Sequence, residues 1–205
     1  AKILDAPKPT TKKQIRAFLG LIGFYRKYIP NFAAIASPLT DLTRKGSSCD
    51  TGWEDSQQRA FETLKRCIVV PPVLHLPDFE KVFILQTDAS NQGLGAVLLQ
   101  EDRDGMKHPI GYASRKLLPR ESRYSTIERE CLGIVWAVTK FQDYLYGKEF
   151  MLETDHQPLQ YLRATQFQNG RLMRWALALQ PYRFVIKAIK GRDNVGADFL
   201  SRHPA

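Results

Sequence analysis

Four acidic residues stand at positions where a globular chain seldom places a carboxylate, namely Asp88, Glu130, Asp155 and Asp198. Asp88 and Asp155 close apolar stretches with strand character, whereas Glu130 and Asp198 fall in the first turn of predicted helices. Carboxylates gathered from four separate elements repel one another and take up protons unless a cation lies between them, and the usual cation is a divalent metal ion. The four acids, in the order D, E, D, D, therefore predict a metal-dependent nuclease.

Glu130 is the strongest single member of this set. At 100° per residue it shares one stripe of its helix with the apolar residues Ile127, Ile134, Ala137 and Phe141. The helix dipole explains an acid in the first turn, but it does not explain an acid on the side that faces the core. A carboxylate on that side needs a partner, which favours a functional role.

The other three acids each have a local alternative. Asp88 precedes the turn-forming segment 91–93, and Asp155 is a good N-cap for a helix opened by Pro158. Asp198 suits the positive end of the last predicted helix. Each signal is weak alone, and the prediction depends on their conjunction.

Composition and charge restrict the class of protein. The chain has 205 residues, of which 43% are hydrophobic and 25% charged, and it contains no apolar run long enough to span a bilayer. The net charge of +9 favours a polyanionic partner, and residues 1–75 carry 12 Lys and Arg against 6 Asp and Glu. The N-terminal part is therefore predicted to be the more concentrated basic surface.

The cysteines and the first residue give two further expectations. Cys49, Cys67 and Cys131 are odd in number and form no CxxC pair, so we predict a reducing compartment without a disulfide framework or a zinc site. The chain begins at Ala1 rather than at Met, which predicts an internal part of a longer polypeptide or a processed product.

The predicted secondary structure that must position the four acids changes near residue 76, from helices alone to strands and helices. Helical patterns occupy Thr10 to Ile29, Phe32 to Lys45 and Glu54 to Val69, and Pro71-Pro72 marks a linker. We therefore predict a small three-helix bundle at 1–75 and a second domain at 76–205.

The second domain has the pattern of three strands followed by alternating helices and strands. The predicted strands are Lys81 to Thr87, Leu94 to Gln100, His108 to Ser114, Glu149 to Thr154 and Phe184 to Ile189. The predicted helices are Thr126 to Tyr144, a short one opened by Pro158, Arg171 to Leu179 and one from Val195. This order predicts an α/β (α+β) fold with a mixed five-stranded sheet and helices packed on it.

Several long segments, in the same order, resemble the reverse transcriptase and ribonuclease H region of gypsy-type LTR retrotransposons and retroviruses. They are FLGLIGFYRKYIPNFA at 18–33, TDASNQGLGAVLLQ at 87–100, YSTIERECLGIVWAV at 124–138, LETDHQPLQYL at 152–162 and DNVGADFLSR at 193–202. The resemblance implies that 1–75 is the C-terminal thumb or connection part of a reverse transcriptase. It implies a ribonuclease H domain with the ribonuclease H-like fold at 76–205.

The resemblance also implies a reaction and a set of ligands. It places the family's catalytic tetrad on Asp88, Glu130, Asp155 and Asp198, with Asp88 bridging two Mg²⁺ ions, Glu130 and Asp155 on one ion and Asp198 on the other. Mn²⁺ is expected to substitute for Mg²⁺. The implied reaction is hydrolysis of the RNA strand of an RNA:DNA hybrid, which leaves a 5'-phosphate and a 3'-hydroxyl.

The implied partners are the RNA:DNA hybrid and the polymerase domain of the parent polypeptide. The implied location is intracellular, in a cytoplasmic retroelement particle, with the nucleus as the alternative.

One departure from cellular and many retroviral relatives lies upstream of Asp198. Those enzymes carry a His on a loop there, whereas residues 188–192 contain none. Lys190 and Arg192 are alternative sources of positive charge, and His156 is a candidate proton carrier, for which a solvent-facing helix-start residue is the competing interpretation. We expect slower turnover rather than inactivity.

The first predicted helix presents a basic face opposite its apolar one. The face contains the predicted nucleic-acid contacts Lys12, Arg16, Gly20, Phe24 and Lys27, and Gly23 lies among them. Glycine inside a helix costs about 1 kcal/mol relative to alanine, so two glycines predict the close approach of another body. A duplex groove is the predicted body, and tight packing against another helix is the alternative.

Further nucleic-acid contacts are predicted in the second domain from basic and polar residues near two helices. They are Arg115, Lys116, Arg120, Arg123, Tyr124, Thr126, Arg171 and Arg174. A solvated rim is the alternative for any one of them. Selection of an RNA strand would depend on 2'-hydroxyl contacts and groove shape.

Two other functions fit parts of the pattern. A domesticated or accessory hybrid-binding module would keep the fold with weak or no catalysis, but it has no need of all four acids. An integrase-like transferase has the same fold with acids in the order D, D, E, whereas Glu130 here precedes Asp155. Nothing in the chain resembles the YxDD carboxylates of a polymerase site, so polymerase activity is not predicted for these residues.

Overall fold

The structure is a computed structural model that describes residues 3–44, 53–70, 73–155 and 170–204. Its N-terminal region contains the helices α1 (Lys12–Phe24), α2 (Phe32–Asp41) and α3 (Asp55–Cys67). α1 begins in a capping box, because the Thr11 hydroxyl accepts the N–H of Gln14 at 3.2 Å and the Gln14 side chain accepts the N–H of Thr11 at 3.2 Å. The three predicted helices are thus present.

α1 ends earlier than predicted. It stops at Phe24 rather than at Ile29, and the chain continues as a 3-10 turn at Arg26–Tyr28. Pro30 disfavours helical geometry in the residue before it, and Ile29 is extended with φ −108° and ψ 105°. The apolar face of α1 is buried as expected, with Ile15, Phe18 and Ile22 fully inaccessible.

A five-stranded sheet follows, with the strand order β3-β2-β1-β4-β5. The strands are β1 (Phe83–Ala89), β2 (Gly93–Glu101), β3 (Lys107–Lys116), β4 (Glu149–Thr154) and β5 (Arg183–Ala188). β1, β2 and β3 pair antiparallel, whereas β4 runs parallel to both β1 and β5. The predicted mixed five-stranded sheet is confirmed.

Four helices accompany the sheet in the part of the chain that the structure describes. They are α4 (Thr126–Lys140), α5 (Gln142–Leu145), α6 (Gly170–Leu179) and α7 (Val195–Arg202). The single helix predicted from Thr126 to Tyr144 is divided at Phe141, whose φ of −107° and ψ of 21° interrupt the helical backbone. The helix predicted at Pro158 lies outside the described residues.

The two faces of the sheet contribute to two hydrophobic cores. On one face, Ile84 and Val97 pack with α7 and with the N-terminal helices. On the other face, Phe83 and Leu85 pack with α4 and α6. The N-terminal helices therefore share a core with the sheet, and the division of the chain at residue 76 stays a prediction. Pro71 and Pro72 lie outside the described residues.

Within those same residues, none of the helices combines the length and the apolar character needed to cross a membrane.

Candidate active site

Asp88 lies at the end of β1, on the sheet face that α7 covers. Its side chain is buried, with 4% of the residue exposed, and one of its oxygens accepts a hydrogen bond from the hydroxyl of Ser201 in α7. The pKa of Asp88 is raised to about 6, chiefly by burial and then by the charges of Asp198 and Asp155, while the Ser201 hydrogen bond and the charge of Arg202 oppose the shift. Three of the predicted acids therefore act on one another electrostatically.

Glu130 joins this group from the other side of β1. It lies in the first half of α4, is 3% exposed, and accepts a hydrogen bond from the backbone N–H of Ala89, the residue after Asp88. Burial raises the pKa of Glu130 to about 9, with further contributions from the charges of Asp88 and Asp155. The prediction that Glu130 faces inward on α4 is confirmed.

Asp155 directly follows β4, at the same sheet edge as Asp88. The parallel pairing of β1 with β4 sets Gln86 opposite Glu153, so both strands end at the same edge. The loop before α7 passes beside Asp155, because a Cβ built on Gly191 would lie 3.3 Å from the Asp155 Oδ2. That loop contains Lys190 and Arg192, which are both exposed. His156 lies outside the described residues.

α7 is held against the sheet at a short distance, and this places Asp198. The Asn194 Nδ2 donates to the Thr87 carbonyl at 3.0 Å, and the Ser114 hydroxyl donates to the Leu200 carbonyl at 2.8 Å. Gly95 lies opposite Asp88 in the pairing of β1 with β2. Because Gly95 has no side chain, the backbone of α7 can pack directly against it. The side chain of Asp198 is 36% exposed and opens toward solvent beside the buried Asp88.

Two residues of α7 contact the acids directly and were not anticipated from the sequence. Ser201 donates to Asp88, and the Arg202 Nε donates to the Asp198 Oδ1 at 2.7 Å. The spacing of three and four residues from Asp198 places both on the same side of the helix. That spacing is the signal that could have identified them.

Glu153 is a buried acid that does not belong to this group. It is fully inaccessible, and its carboxylate accepts hydrogen bonds from Gln86 at 2.8 Å and Lys107 at 2.7 Å. A buried carboxylate with a cation and an amide donor is compensated within the protein. Its role is therefore structural, although it precedes Asp155 by only two positions.

The donor set of the site fits a hard divalent cation. Among the residues that the structure describes, no three His, Cys, Asp or Glu side chains are placed close enough to hold a metal ion as they stand. Two of the carboxylates instead bind protein groups, Asp88 to Ser201 and Asp198 to Arg202. Burial and then the charges of neighbouring acids raise the pKa values of Asp88 and Glu130, and a divalent cation would favour their ionised forms. Carboxylate oxygens are the ligands that Mg²⁺ prefers.

The raised pKa values predict how the stability of the metal-free protein depends on pH. The pKa values of Asp88 and Glu130 in the folded protein are about 6 and about 9, against ordinary values of 3.8 and 4.5. Between the ordinary pKa and the raised pKa of each group, the folded state binds more protons than the unfolded state, so raising the pH favours unfolding. We expect the melting temperature in EDTA to fall from pH 5 to pH 9, and to fall less steeply with millimolar Mg²⁺. A melting temperature that rises over this range would contradict the pKa assignments.

Two of the predicted nucleic-acid contacts on and after α1 donate hydrogen bonds within the protein. The Lys12 Nζ donates to the Arg44 carbonyl at 2.7 Å, and an Arg16 guanidinium nitrogen donates to the Thr43 carbonyl at 2.9 Å. A Cβ on Gly20 would lie 3.9 Å from the Val195 side chain of α7, which is ordinary contact between packed helices. Phe24 is 41% exposed, and the side chain of Lys27 lies outside the described part of the chain. Nucleic-acid binding by this face stays a prediction.

The predicted contacts in the second domain fall into two groups. Arg115 forms an ion pair with Glu121 at 2.6 Å, and Arg171 forms one with Glu128 at 2.6 Å while its guanidinium stacks 4.0 Å from the Tyr124 ring. The remaining predicted residues are exposed, namely Lys116, Arg120, Arg123, Thr126 and Arg174. Their binding to nucleic acid also stays a prediction.

A comparison with protein families identifies the class. The profile of the family described as the RNase H-like domain found in reverse transcriptase matches residues 78–182. This range contains Asp88, Glu130 and Asp155 together with the strands β1 to β4, and it ends directly before β5. The chain therefore belongs to the RNase H-like domains of reverse transcriptases.

Relatives among retrotransposon polyproteins match nearly the whole chain. The Pol polyprotein of transposon 297 from Drosophila melanogaster is 49% identical over 200 residues, which are 98% of this chain and 18% of that protein. The Pol polyprotein of transposon gypsy is 40% identical, covering 98% of this chain and 20% of that protein. The Tf2-3 polyprotein of Schizosaccharomyces pombe is 37% identical, covering 98% and 15%. The chain thus spans at most about a fifth of these relatives, and the resemblance to gypsy-type elements is confirmed.

Solved structures share the fold. The prototype foamy virus protease-reverse transcriptase superposes with a TM-score of 0.72 and 20% identity, over 90% of this chain and 25% of that one. The foamy viral protease-reverse transcriptase dRH in complex with ds DNA gives a TM-score of 0.70 and 21% identity, over 90% of this chain and 35% of that one. At this level of identity the likeness concerns the fold, and it agrees with the predicted RNase H-like fold.

Proposed function

We propose that this chain is the ribonuclease H region of a retroelement reverse transcriptase and that it hydrolyses the RNA strand of RNA:DNA hybrids with divalent metal ions. The observation that carries the proposal is the electrostatic coupling of Asp88, Glu130, Asp155 and Asp198. These acids come from four separate elements. Burial is the largest cause of the raised pKa values of Asp88 and Glu130; the charges of Asp198 and Asp155 add to the first shift, and those of Asp88 and Asp155 add to the second. Carboxylates whose pKa values are raised by burial and by neighbouring charges are candidates for catalytic groups.

In this proposal the carboxylates of Asp88, Glu130, Asp155 and Asp198 would hold two Mg²⁺ ions. When bound, the ions would activate a water molecule and stabilise the departing 3'-oxygen, which gives a 5'-phosphate and a 3'-hydroxyl. Mn²⁺ is expected to replace Mg²⁺.

The residues of the chain itself supply rigidity and exclude water from part of the site. Ser201 fixes one oxygen of Asp88, and the backbone N–H of Ala89 fixes Glu130. Both acids are at least 96% buried, so water has little access to them from the sheet side. Asp198, which is partly exposed, marks the side from which a nucleic acid would approach.

We also propose that residues 1–75 are the thumb or connection part of the reverse transcriptase and that 76–205 are the ribonuclease H domain. The alignments with the retrotransposon polyproteins support this because they extend over 98% of the chain, including its N-terminal helices. The foamy viral structure in complex with ds DNA supports contact between such a chain and a duplex. The expected partners are accordingly an RNA:DNA hybrid and the polymerase domain of the parent polypeptide.

A substrate panel tests the proposed function. The chain is incubated with four labelled duplexes of one sequence: an RNA:DNA hybrid labelled on the RNA, the same hybrid labelled on the DNA, an RNA duplex and a DNA duplex. We expect cleavage of the hybrid RNA alone, supported by Mg²⁺ or Mn²⁺ and abolished by EDTA. Tight hybrid binding without cleavage in either metal would favour the hybrid-binding module, and equal cleavage of all four duplexes would rule out ribonuclease H specificity.

A further inference from the structure

The last residue of α7 forms an ion pair with one of the four acids. The Arg202 Nε donates to the Asp198 Oδ1 at 2.7 Å, and the spacing of four residues lets the two side chains meet on one helix face. The side chains are 53% and 36% exposed. A pair this exposed contributes little to the stability of a protein, so its conventional role in the helix is minor.

The charge of Arg202 extends beyond this pair. Asp88 and Asp155 also raise the pKa of the Arg202 guanidinium, after the larger effect of Asp198, and the Arg202 charge in turn lowers the pKa of Asp88. These acids come from the end of β1, from the residue after β4 and from α7. Arg202 therefore lies within electrostatic range of three of the four acids.

We propose that Arg202 is the internal counter-cation of the carboxylate site and competes with the divalent ion for Asp198. It thereby sets the metal concentration at which the site fills. The inference rests on the proposed metal dependence of the site and makes Arg202 a positioning residue, because it acts through Asp198.

The geometry of the pair supports competition. An oxygen that accepts a guanidinium N–H at 2.7 Å directs a lone pair at Arg202, so a metal ion can use the Asp198 Oδ1 fully only if the guanidinium moves away. The guanidinium is a unit positive charge beside a site for a dication, and the two repel each other. More than half of the Arg202 side chain is exposed, so it can turn into solvent without disturbing the core. Asp88 is held separately by Ser201 and need not move with it.

Metal binding measured by calorimetry tests the inference without any nucleic acid. Mn²⁺ is titrated into the metal-free full chain for the wild type, Arg202→Gln, Arg202→Lys and Arg59→Gln. Arg59 is an exposed residue of α3, so its replacement removes one positive charge from a helix that holds none of the four acids. We expect Arg202→Gln to bind Mn²⁺ roughly tenfold more tightly than the wild type, because one charge near a dication is removed. Arg202→Lys is expected to fall between the two, and Arg59→Gln to match the wild type.

A double-mutant cycle with Asp198→Asn separates competition for Asp198 from a general charge effect. We expect Arg202→Gln to tighten Mn²⁺ binding by much less in the Asp198→Asn background than in the wild type. An equal gain in both backgrounds, or Mn²⁺ affinity that is unchanged or weaker in Arg202→Gln, would overturn the inference. Melting curves in EDTA verify that each variant is folded. If Arg202→Gln is unfolded, Arg202→Lys decides, and wild-type affinity in that variant would overturn the inference.

The outcome for the proposed function is read separately, from cleavage of the hybrid by the wild type at saturating Mn²⁺. Cleavage together with unchanged Mn²⁺ affinity in Arg202→Gln removes the inference and leaves the proposed function in place. Tighter Mn²⁺ binding by Arg202→Gln without cleavage by the wild type supports the inference and contradicts the proposed function.

Discussion

Glu130→Gln is expected to abolish cleavage of an RNA:DNA hybrid and to make the metal-free protein more stable at high pH. Gln keeps the shape of the side chain, and its carbonyl oxygen can still accept the N–H of Ala89 that Glu130 binds. It cannot supply a negative charge to a metal ion, so we expect cleavage to fall at least about 100-fold. The same missing charge removes the cost of ionising a buried carboxyl whose pKa is about 9.

Melting curves in EDTA at two pH values measure the second effect. At pH 4.5 the Glu130 carboxyl is protonated in the folded protein and about half protonated in the unfolded chain, so the wild type and Glu130→Gln should melt at similar temperatures. At pH 10 we expect Glu130→Gln to melt at least about 5 °C higher, because each pH unit between the ordinary pKa of 4.5 and the raised pKa of about 9 costs the wild type about 1.4 kcal/mol. Glu149→Gln, at an exposed position of β4, is the matched control and should follow the wild type at both pH values. Wild-type cleavage by Glu130→Gln, or equal melting temperatures at pH 10, would contradict the assigned role.

Gly95→Ala is expected to destabilise the protein by about 3 kcal/mol and to abolish cleavage in the molecules that remain folded. A Cβ at this position would lie 2.2 Å from the Ala197 carbonyl oxygen and 2.5 Å from the Ser201 nitrogen. Both are backbone atoms of α7, so the clash cannot be relieved by a side-chain rotation, and the helix must move away from β2. That movement displaces Asp198 and the hydroxyl of Ser201 that binds Asp88.

Urea unfolding measures the change in the free energy of unfolding, with Gly23→Ala as the control. Gly23 lies inside α1, and a Cβ built on it meets no atom within 4 Å. The control should therefore stabilise the protein by about 0.5–1 kcal/mol through helix propensity. A Gly95→Ala protein with wild-type stability and cleavage would show that the close contact between α7 and β2 is not needed for the site.

The parts of the fold that depend on local pattern could be predicted from the sequence. Strand alternation and turn residues identified all five strands, and Thr11 and Gln14 form the kind of cap that begins a helix such as α1. The position of Glu130 followed from helical periodicity because its stripe is otherwise apolar. In these cases the information lies within about twenty residues of the chain.

The rest of the site depends on contacts between distant parts of the chain. Gly95 could be recognised as essential only once α7 was known to cross β2, some 100 positions later. The contacts of Ser201 with Asp88 and of Asn194 with Thr87 could not be predicted for the same reason, since they span 113 and 107 positions. Lys12 and Arg16 lie on the face of α1 that was predicted to bind nucleic acid. In the structure both donate hydrogen bonds to backbone carbonyls after α2, and the periodicity of α1 cannot predict these partners.

Cleavage of a labelled hybrid by the wild type and by Asp88→Asn tests the central claim most directly. Asp104→Asn makes the same chemical change at an exposed position in the turn between β2 and β3, and it is the matched control. With Mg²⁺ or Mn²⁺ we expect the wild type and Asp104→Asn to cut the RNA strand and leave 5'-phosphate ends, while Asp88→Asn loses at least about 100-fold in rate. Equal cleavage by the wild type and Asp88→Asn would contradict the claim that these carboxylates form the active site.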